Sequence, residues 1–227
     1  MSQYAKAWQA VLQRIEAATR AAARPPGSVR LLAVSKTFPA EAVRGLYATG
    51  QRAFGENYVQ EGVAKRESLR DLADVEWHLI GPLQSNKTAM AAAFDWVESV
   101  DRLKIAQRLS AARAAHLPPL FVCVQVNASG EASKSGVAPE GAVALAQAVA
   151  KLPGIAVRGI MGIPEPTPDE ARARAQFRAL RRCFEECRDA GLAVDTLSMG
   201  MSADLEIAIG EGATEVRVGT ALFGNRG

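Results

Sequence analysis

The stretch Arg30-Leu31-Leu32-Ala33-Val34-Ser35-Lys36, followed at once by Thr37-Phe38-Pro39, reads as a buried β-strand with an amine at its C-terminal end and a helix opening just beyond it. Period-2 alternation puts Leu32, Val34 and Lys36 on one face. An ammonium in line with two core residues is costly to desolvate unless it is paired, neutral or covalently used. Lys36 is therefore either a candidate for Schiff-base chemistry or a strand-end lysine snorkelling to solvent.

The same strand-then-helix unit recurs to the end of the chain. Further strands are expected at Arg52–Asn57, Glu76–Gly81, Trp96–Val100, Leu120–Asn127, Ile155–Ile163, Thr196–Met199 and Glu215–Gly219. Helices are expected from Pro39 to near Gly50, on to about Arg70, around Lys87–Phe94, over Asp101–Ala115, in the alanine-rich stretch before Pro153, along the stripe Phe177, Leu180, Phe184 and Cys187, and over about Ala203–Ile209. Ahead of them Tyr4, Trp8, Val11, Leu12 and Ile15 recur at helical spacing, so residues 1–24 form an extra N-terminal helix packed on the rest. Eight βα units with short loops and no linker point to a single (β/α)8 TIM-like barrel domain spanning residues 1–227, with an open doubly wound sheet as the alternative.

Composition narrows the function classes. The chain has 227 residues, 48% hydrophobic and 22% charged, and its 27 basic and 24 acidic residues are mixed along it. No basic block is interleaved with aromatics, which argues against nucleic-acid binding. There is no signal-peptide apolar region at the N-terminus and no apolar run long enough to span a membrane, so no membrane association and a cytoplasmic location are expected. Cys123, Cys183 and Cys187 read as reduced structural thiols, with only two histidines to help them bind metal.

In barrels of this kind chemistry sits at the C-terminal strand ends. Read in order, those ends supply Lys36, Asn57, Gly81-Pro82, Val100-Asp101, Asn127, Met161-Gly162, Ser198-Met199-Gly200 and Arg217-Val218-Gly219-Thr220, polar and small residues against apolar strand interiors. Ser198–Ser202 after strand 7 and Gly219-Thr220 after strand 8 offer hydroxyls and backbone N–H groups, the usual materials of a barrel phosphate site, although an N-cap serine and a turn glycine are common anywhere. Arg217 lies on the same strand face as Gly219 and should project into the barrel mouth, either toward a ring nitrogen or paired with a carboxylate such as Glu215. An aldehyde-reactive lysine opposite a phosphate site is what pyridoxal 5′-phosphate (PLP) requires.

Six ordered motifs carry a resemblance over essentially the whole chain. They are Ala33–Thr37, Phe54–Glu61, Trp77–Lys87, Ser133–Gly136, Leu197–Ser202 and Val216–Gly224. In these segments the chain is similar to the pyridoxal-phosphate homeostasis protein family, also called YggS/PROSC. The resemblance implies a fold-type III barrel like the N-terminal domain of alanine racemase, with Lys36 as the Schiff-base lysine. It implies Ser202, Gly219 and Thr220 at the cofactor phosphate, Arg217 near the pyridine nitrogen, Asn57 near the ring, and Met199 and Met201 in contact with the cofactor. It further implies a carrier or regulator of PLP supply, with PLP-dependent apo-enzymes as conceivable recipients and no catalytic residue. Lys134 is expected to be a solvated loop charge rather than a second reactive amine.

The alternative is a PLP-dependent racemase, which needs two positioned acid–base groups. In the similar racemases the second is a tyrosine from a C-terminal β domain, and this chain ends at Gly227 directly after the barrel. Tyr4, Tyr47 and Tyr58 are not expected at strand ends, and a monomer is expected. A Schiff-base aldolase is disfavoured because strand 6 contains no lysine.

Overall fold

A computed structural model describes residues 2–129 and 135–224. Lys134, and with it the sequence expectation about its charge, lies outside the described residues, as do Ser133 and Gly227. Eight parallel strands close into a barrel in sequence order: β1 (Arg30–Val34), β2 (Ala53–Glu56), β3 (Glu76–Leu79), β4 (Trp96–Val100), β5 (Leu120–Val126), β6 (Ile155–Gly162), β7 (Thr196–Met201) and β8 (Glu215–Val218). Closure is made by β1 on β8, with Arg30 beside Glu215 and Leu32 beside Arg217. That pairing excludes the open doubly wound sheet.

Around the barrel run α1 (Gln3–Ala21), α2 (Ala40–Tyr47), α3 (Val59–Ser68), α4 (Thr88–Ala91), α5 (Leu103–Ala112), α6 (Ala142–Ala150), α7 (Glu170–Asp189), α8 (Leu205–Gly210) and α9 (Thr220–Phe223). α7 shows how the sequence sets these helices. Asp169 caps its first turn by accepting from the Ala171 and Arg172 amides, and Ala173, Phe177, Leu180, Cys183, Phe184 and Cys187 bury one stripe against the sheet. α1 is the additional N-terminal helix, and it lies against α2, α8 and α9.

Several boundaries differ from the sequence expectation. β1 stops at Val34 rather than Lys36, because the chain turns at Ser35–Phe38, where the Phe38 amide returns to the Ser35 carbonyl. α5 is shorter than Asp101–Ala115, since the backbone is already extended at Arg113, ahead of Pro118-Pro119. The expected helix over Lys87–Phe94 shrinks to a single 3₁₀ turn and α4, and β7 runs on to Met201.

The apolar core lies mainly between sheet and helices, where Leu31, Ala33, Phe54, Leu79, Val97, Phe177, Leu197 and Val218 pack. Inside the barrel, Leu32, Val34, Ala53 and Ile80 form one apolar cluster, and Trp96, Cys123 and Met161 form another. Between them the interior is polar, which corrects the expectation of apolar strand interiors. Arg30, Glu76, His78, Glu98, Ser198, Glu215 and Arg217 occupy that space as one hydrogen-bonded network. No described helix is long and apolar enough to cross a membrane.

Candidate functional site

At the C-terminal end of the barrel a cavity of about 280 Å³ opens, close to the lower end of small-molecule sites at roughly 300 Å³. Its lining includes Lys36, Asn57, Met201, Ser202, Arg217, Gly219 and Thr220, with Val34, Phe38, Ile80 and Ile163 as apolar walls. Seven of the eight residues expected at the site therefore meet in one place. The eighth, Met199, is fully buried among the residues between sheet and helices and does not line the cavity.

Local geometry explains each position. Lys36 lies two residues past Val34, the last residue of β1; the Ser35 amide between them still bonds the Gly55 carbonyl, and Thr37 then takes φ +68°. A β-branched residue seldom adopts that left-handed region, so the turn is held by its surroundings. Asn57 is carried over the end of β3 because residue 81 is glycine: a Cβ there would lie 2.1 Å from the Asn57 carbonyl oxygen. In β7 the register shifts between Ser198 and Met201, and Gly200 has φ +91°. Ser198 faces inward and Met199 faces the helices as regular alternation requires, and the irregularity that follows turns Met201, which would otherwise face out like Met199, toward the cavity.

The β7–α8 loop is pinned from both sides. The Met201 amide donates to Asp204 Oδ1 at 2.6 Å, and Arg14 of α1 donates to the Ser202 carbonyl at 2.9 Å. Arg14 also pairs with Glu206. The N-terminal helix thus braces the loop that presents Ser202. On the neighbouring wall, Phe38 stacks on Phe223 of α9 at a centroid separation of 5.0 Å.

Arg217 is buried and donates to Ser198 Oγ at 2.7 Å and to the Gly162 carbonyl at 2.8 Å. Neither is a carboxylate, so the expected alternative of direct pairing with Glu215 is not what holds it. Ser198 passes the contact on by donating to Glu98 Oε2 at 2.6 Å, and Glu98 Oε1 meets His78 Nδ1 at 2.6 Å. His78 Nε2 meets Glu76 at 2.7 Å, and Arg30 closes the network on Glu76 and Glu215.

Burial alone would push the His78 imidazole toward neutrality, but its hydrogen bonds to Glu76 and Glu98 outweigh that and raise its pKa to about 9. The protonated ring in turn holds Glu98 below the usual carboxylate range against the opposing effect of burial. Glu215 goes the other way: burial, reinforced by the negative charge on Glu98, pushes it up. Ligand atoms of His78, Glu98 and Glu215 lie within 4.8 Å of one another, a separation a metal ion could bridge. Both ring nitrogens are already committed to carboxylates, so the group acts as a compensated charge cluster beneath Arg217.

Glu76, His78 and Glu98 were passed over in the sequence as strand residues. The available signal was charge recurring at every second position, Glu76 and His78 in one strand and Glu98 two after Trp96 in the next. Tyr58 is not at a strand end, as expected: it lies two residues past β2, at the start of α3. It is 59% exposed and lines a neighbouring groove with Asn57.

Comparison with known proteins follows from this geometry. Residues 8–227 match the family described as "Alanine racemase, N-terminal domain", the class of barrel that the closed sheet and the site at its C-terminal end define. The chain is 60% identical over 227 residues to the pyridoxal phosphate homeostasis protein of Pseudomonas aeruginosa, covering 100% of this chain and 97% of that one. It is 48% identical over 219 residues to the Escherichia coli K12 protein of the same name, covering 95% and 94%. The structure of PipY from Synechococcus elongatus PCC7942, solved with PLP bound, superposes with a TM-score of 0.81 at 40% identity, over 94% of this chain and 100% of that one. The chain belongs to the pyridoxal phosphate homeostasis protein family.

Proposed function

We propose that this protein binds PLP in the cavity at the barrel mouth and serves intracellular PLP homeostasis by holding and releasing the cofactor. The observation that carries this is the donor set of one cavity. Lys36, after β1, lines it together with Ser202 after β7 and with Gly219 and Thr220 after the adjacent β8.

The residues fit the cofactor. Two cationic side chains, Lys36 and Arg217, line the cavity with no carboxylate among its described lining residues, which suits a phosphate dianion. Val34, Phe38, Ile80 and Ile163 provide apolar walls for a planar ring. When bound, PLP supplies an aldehyde that condenses with an amine. Lys36 is the amine in reach, and it tethers the group covalently. Ser202 and Thr220 donate hydroxyls to the phosphate, and the backbone at Gly219 approaches it without a side chain in the way. Arg217, a permanent donor, would meet the ring nitrogen of the bound cofactor and keep a proton off it. Asn57 fixes the ring edge, and Met201 packs beside it.

We further propose that the protein does not turn substrate over. Racemisation needs a second positioned acid–base group, and Lys36 and Arg217 are the only ionisable side chains among the described lining residues. Recipients of the cofactor would be PLP-dependent apo-enzymes in the cytosol.

The test is direct. Protein incubated with PLP should turn yellow, the visible band should vanish on borohydride treatment, and mass spectrometry should place the reduced adduct on Lys36. Lys36→Ala should abolish the adduct and leave weaker, phosphate-directed binding. A colourless wild-type protein would refute the assignment, and rapid interconversion of D- and L-alanine by pure protein would replace it with a racemase. Transfer of bound PLP to an apo-enzyme faster than release into solution would support directed delivery.

A further inference from the structure

The turn that carries Lys36 is gripped from behind by residues that do not line the cavity. Lys65, on α3, is buried, and its ammonium donates to the Ser35 carbonyl at 2.6 Å, to Glu56 Oε1 at 2.7 Å and to Glu61 Oε1 at 2.7 Å. All three ammonium donors are thereby used. The two carboxylates then reach the same turn themselves. Ser35 Oγ donates to Glu56 Oε1 at 2.6 Å, and the Thr37 amide donates to Glu61 Oε1 at 2.5 Å. The residue before Lys36 is held at its carbonyl and its hydroxyl, and the residue after it at its amide.

This grip explains why Thr37 persists at φ +68°. Left-handed backbone at a β-branched residue survives only where the surroundings over-determine it. Lys65 is the keystone, because its single positive charge is shared by two carboxylates that converge on one point. Glu56 is fully buried, so burial pushes its carboxyl up while the Lys65 charge opposes that. Without the ammonium, Glu56 and Glu61 lose the ion-pair partner they share, and the turn loses its anchor at the Ser35 carbonyl.

We propose that Lys65, acting through Glu56 and Glu61, is a positioning residue that sets the backbone of the Ser35–Thr37 turn and so aims the Lys36 amine into the cavity. The proposal rests on the reading of Lys36 as the covalent tether. The phosphate side of the site is built differently: Asp204 and Arg14 hold the β7–α8 loop, and neither belongs to the Lys65 cluster. Loss of Lys65 therefore weakens tethering and spares recognition of the phosphate.

The experiment compares wild-type protein with Lys65→Met and with the milder Glu61→Gln, using PLP and pyridoxine 5′-phosphate, which has an alcohol in place of the aldehyde. Binding is read by equilibrium dialysis, and tethering by the visible band and by the borohydride-trapped fraction on Lys36. Lys65→Met is expected to lose about tenfold in PLP affinity, the scale of one buried charge-assisted contact. Its trapped fraction should fall in parallel, while affinity for the alcohol falls by a much smaller factor. Glu61→Gln should shift the same readouts in the same direction by a smaller factor. Variants that trap PLP as wild type does, or that lose both ligands equally, overturn the positioning role alone. A wild-type protein that traps no PLP overturns the tether reading and this proposal together.

Discussion

Replacing His78 with Gln is expected to flatten the pH dependence of folding stability between about pH 6 and pH 9.5. The imidazole is fully buried, stacked on Trp96 at 5.0 Å with an interplanar angle of 6°, and hydrogen-bonded at both nitrogens to carboxylates. Burial opposes its charge, yet Glu76 and Glu98 raise its pKa from 6.5 to about 9. A pKa raised in the folded state means that the folded protein binds the proton more tightly than the unfolded chain does. The stabilisation is therefore fully present below the unfolded value and is lost as the pH climbs through the folded one. At about 1.4 kcal/mol for each pK unit, the protonated ring contributes about 3 kcal/mol below pH 6.5. Urea unfolding of the cofactor-free protein, followed by circular dichroism at half-unit pH steps, measures it. Wild type should exceed His78→Gln by about 3 kcal/mol at the acid end, with the gap closing toward pH 9.5. A gap that stays constant across the range would show that the ring is not charged in the fold, and the charge-cluster account of the barrel interior would fall.

Two further outcomes follow from the same geometry. Gly81→Ala drives a methyl group onto the Asn57 carbonyl at 2.1 Å, and since the obstacle is backbone the loop must move; a loss on the order of 3 kcal/mol is expected from the shift in urea midpoint, and an unchanged midpoint would contradict the close approach. Ser198→Ala removes the hydroxyl between Arg217 and Glu98 and leaves a buried carboxylate oxygen short of a donor, so a loss of about 2 kcal/mol and weaker PLP retention in equilibrium dialysis are expected, whereas wild-type retention would mean that Arg217 does not depend on this bridge.

The cavity was legible because its residues cluster at strand ends in short motifs. Lys36 after an apolar run, Ser202 before a helix and Gly219-Thr220 after another strand each have a local signature. Met199 obeys regular alternation, facing the helices beside the inward Ser198, whereas Met201 reaches the cavity only because β7 shifts register between Ser198 and Met201 around Gly200 at φ +91°. The extent of β1 was overread for a related reason: Ser35 keeps one ladder bond, to Gly55, while the chain is already turning. Lys65 carries no local signature in the sequence, since nothing near it in the chain announces the two carboxylates and the carbonyl that its ammonium meets.

The sequence by itself determined the alternation of strand and helix, and hence a barrel with its chemistry at one end, because periodicity and turn residues are local properties. Only the tertiary structure decided which polar residues share the interior. Arg30, His78, Glu98, Ser198 and Arg217 come from five strands and meet only because β1 closes on β8 and the strands pack around one axis. In that confined space a charge is tolerated only when its partners arrive with it, and the partners lie far away in the chain. Lys36 and Thr220 become neighbours across one cavity through that same closure, although the rest of the barrel separates them in sequence.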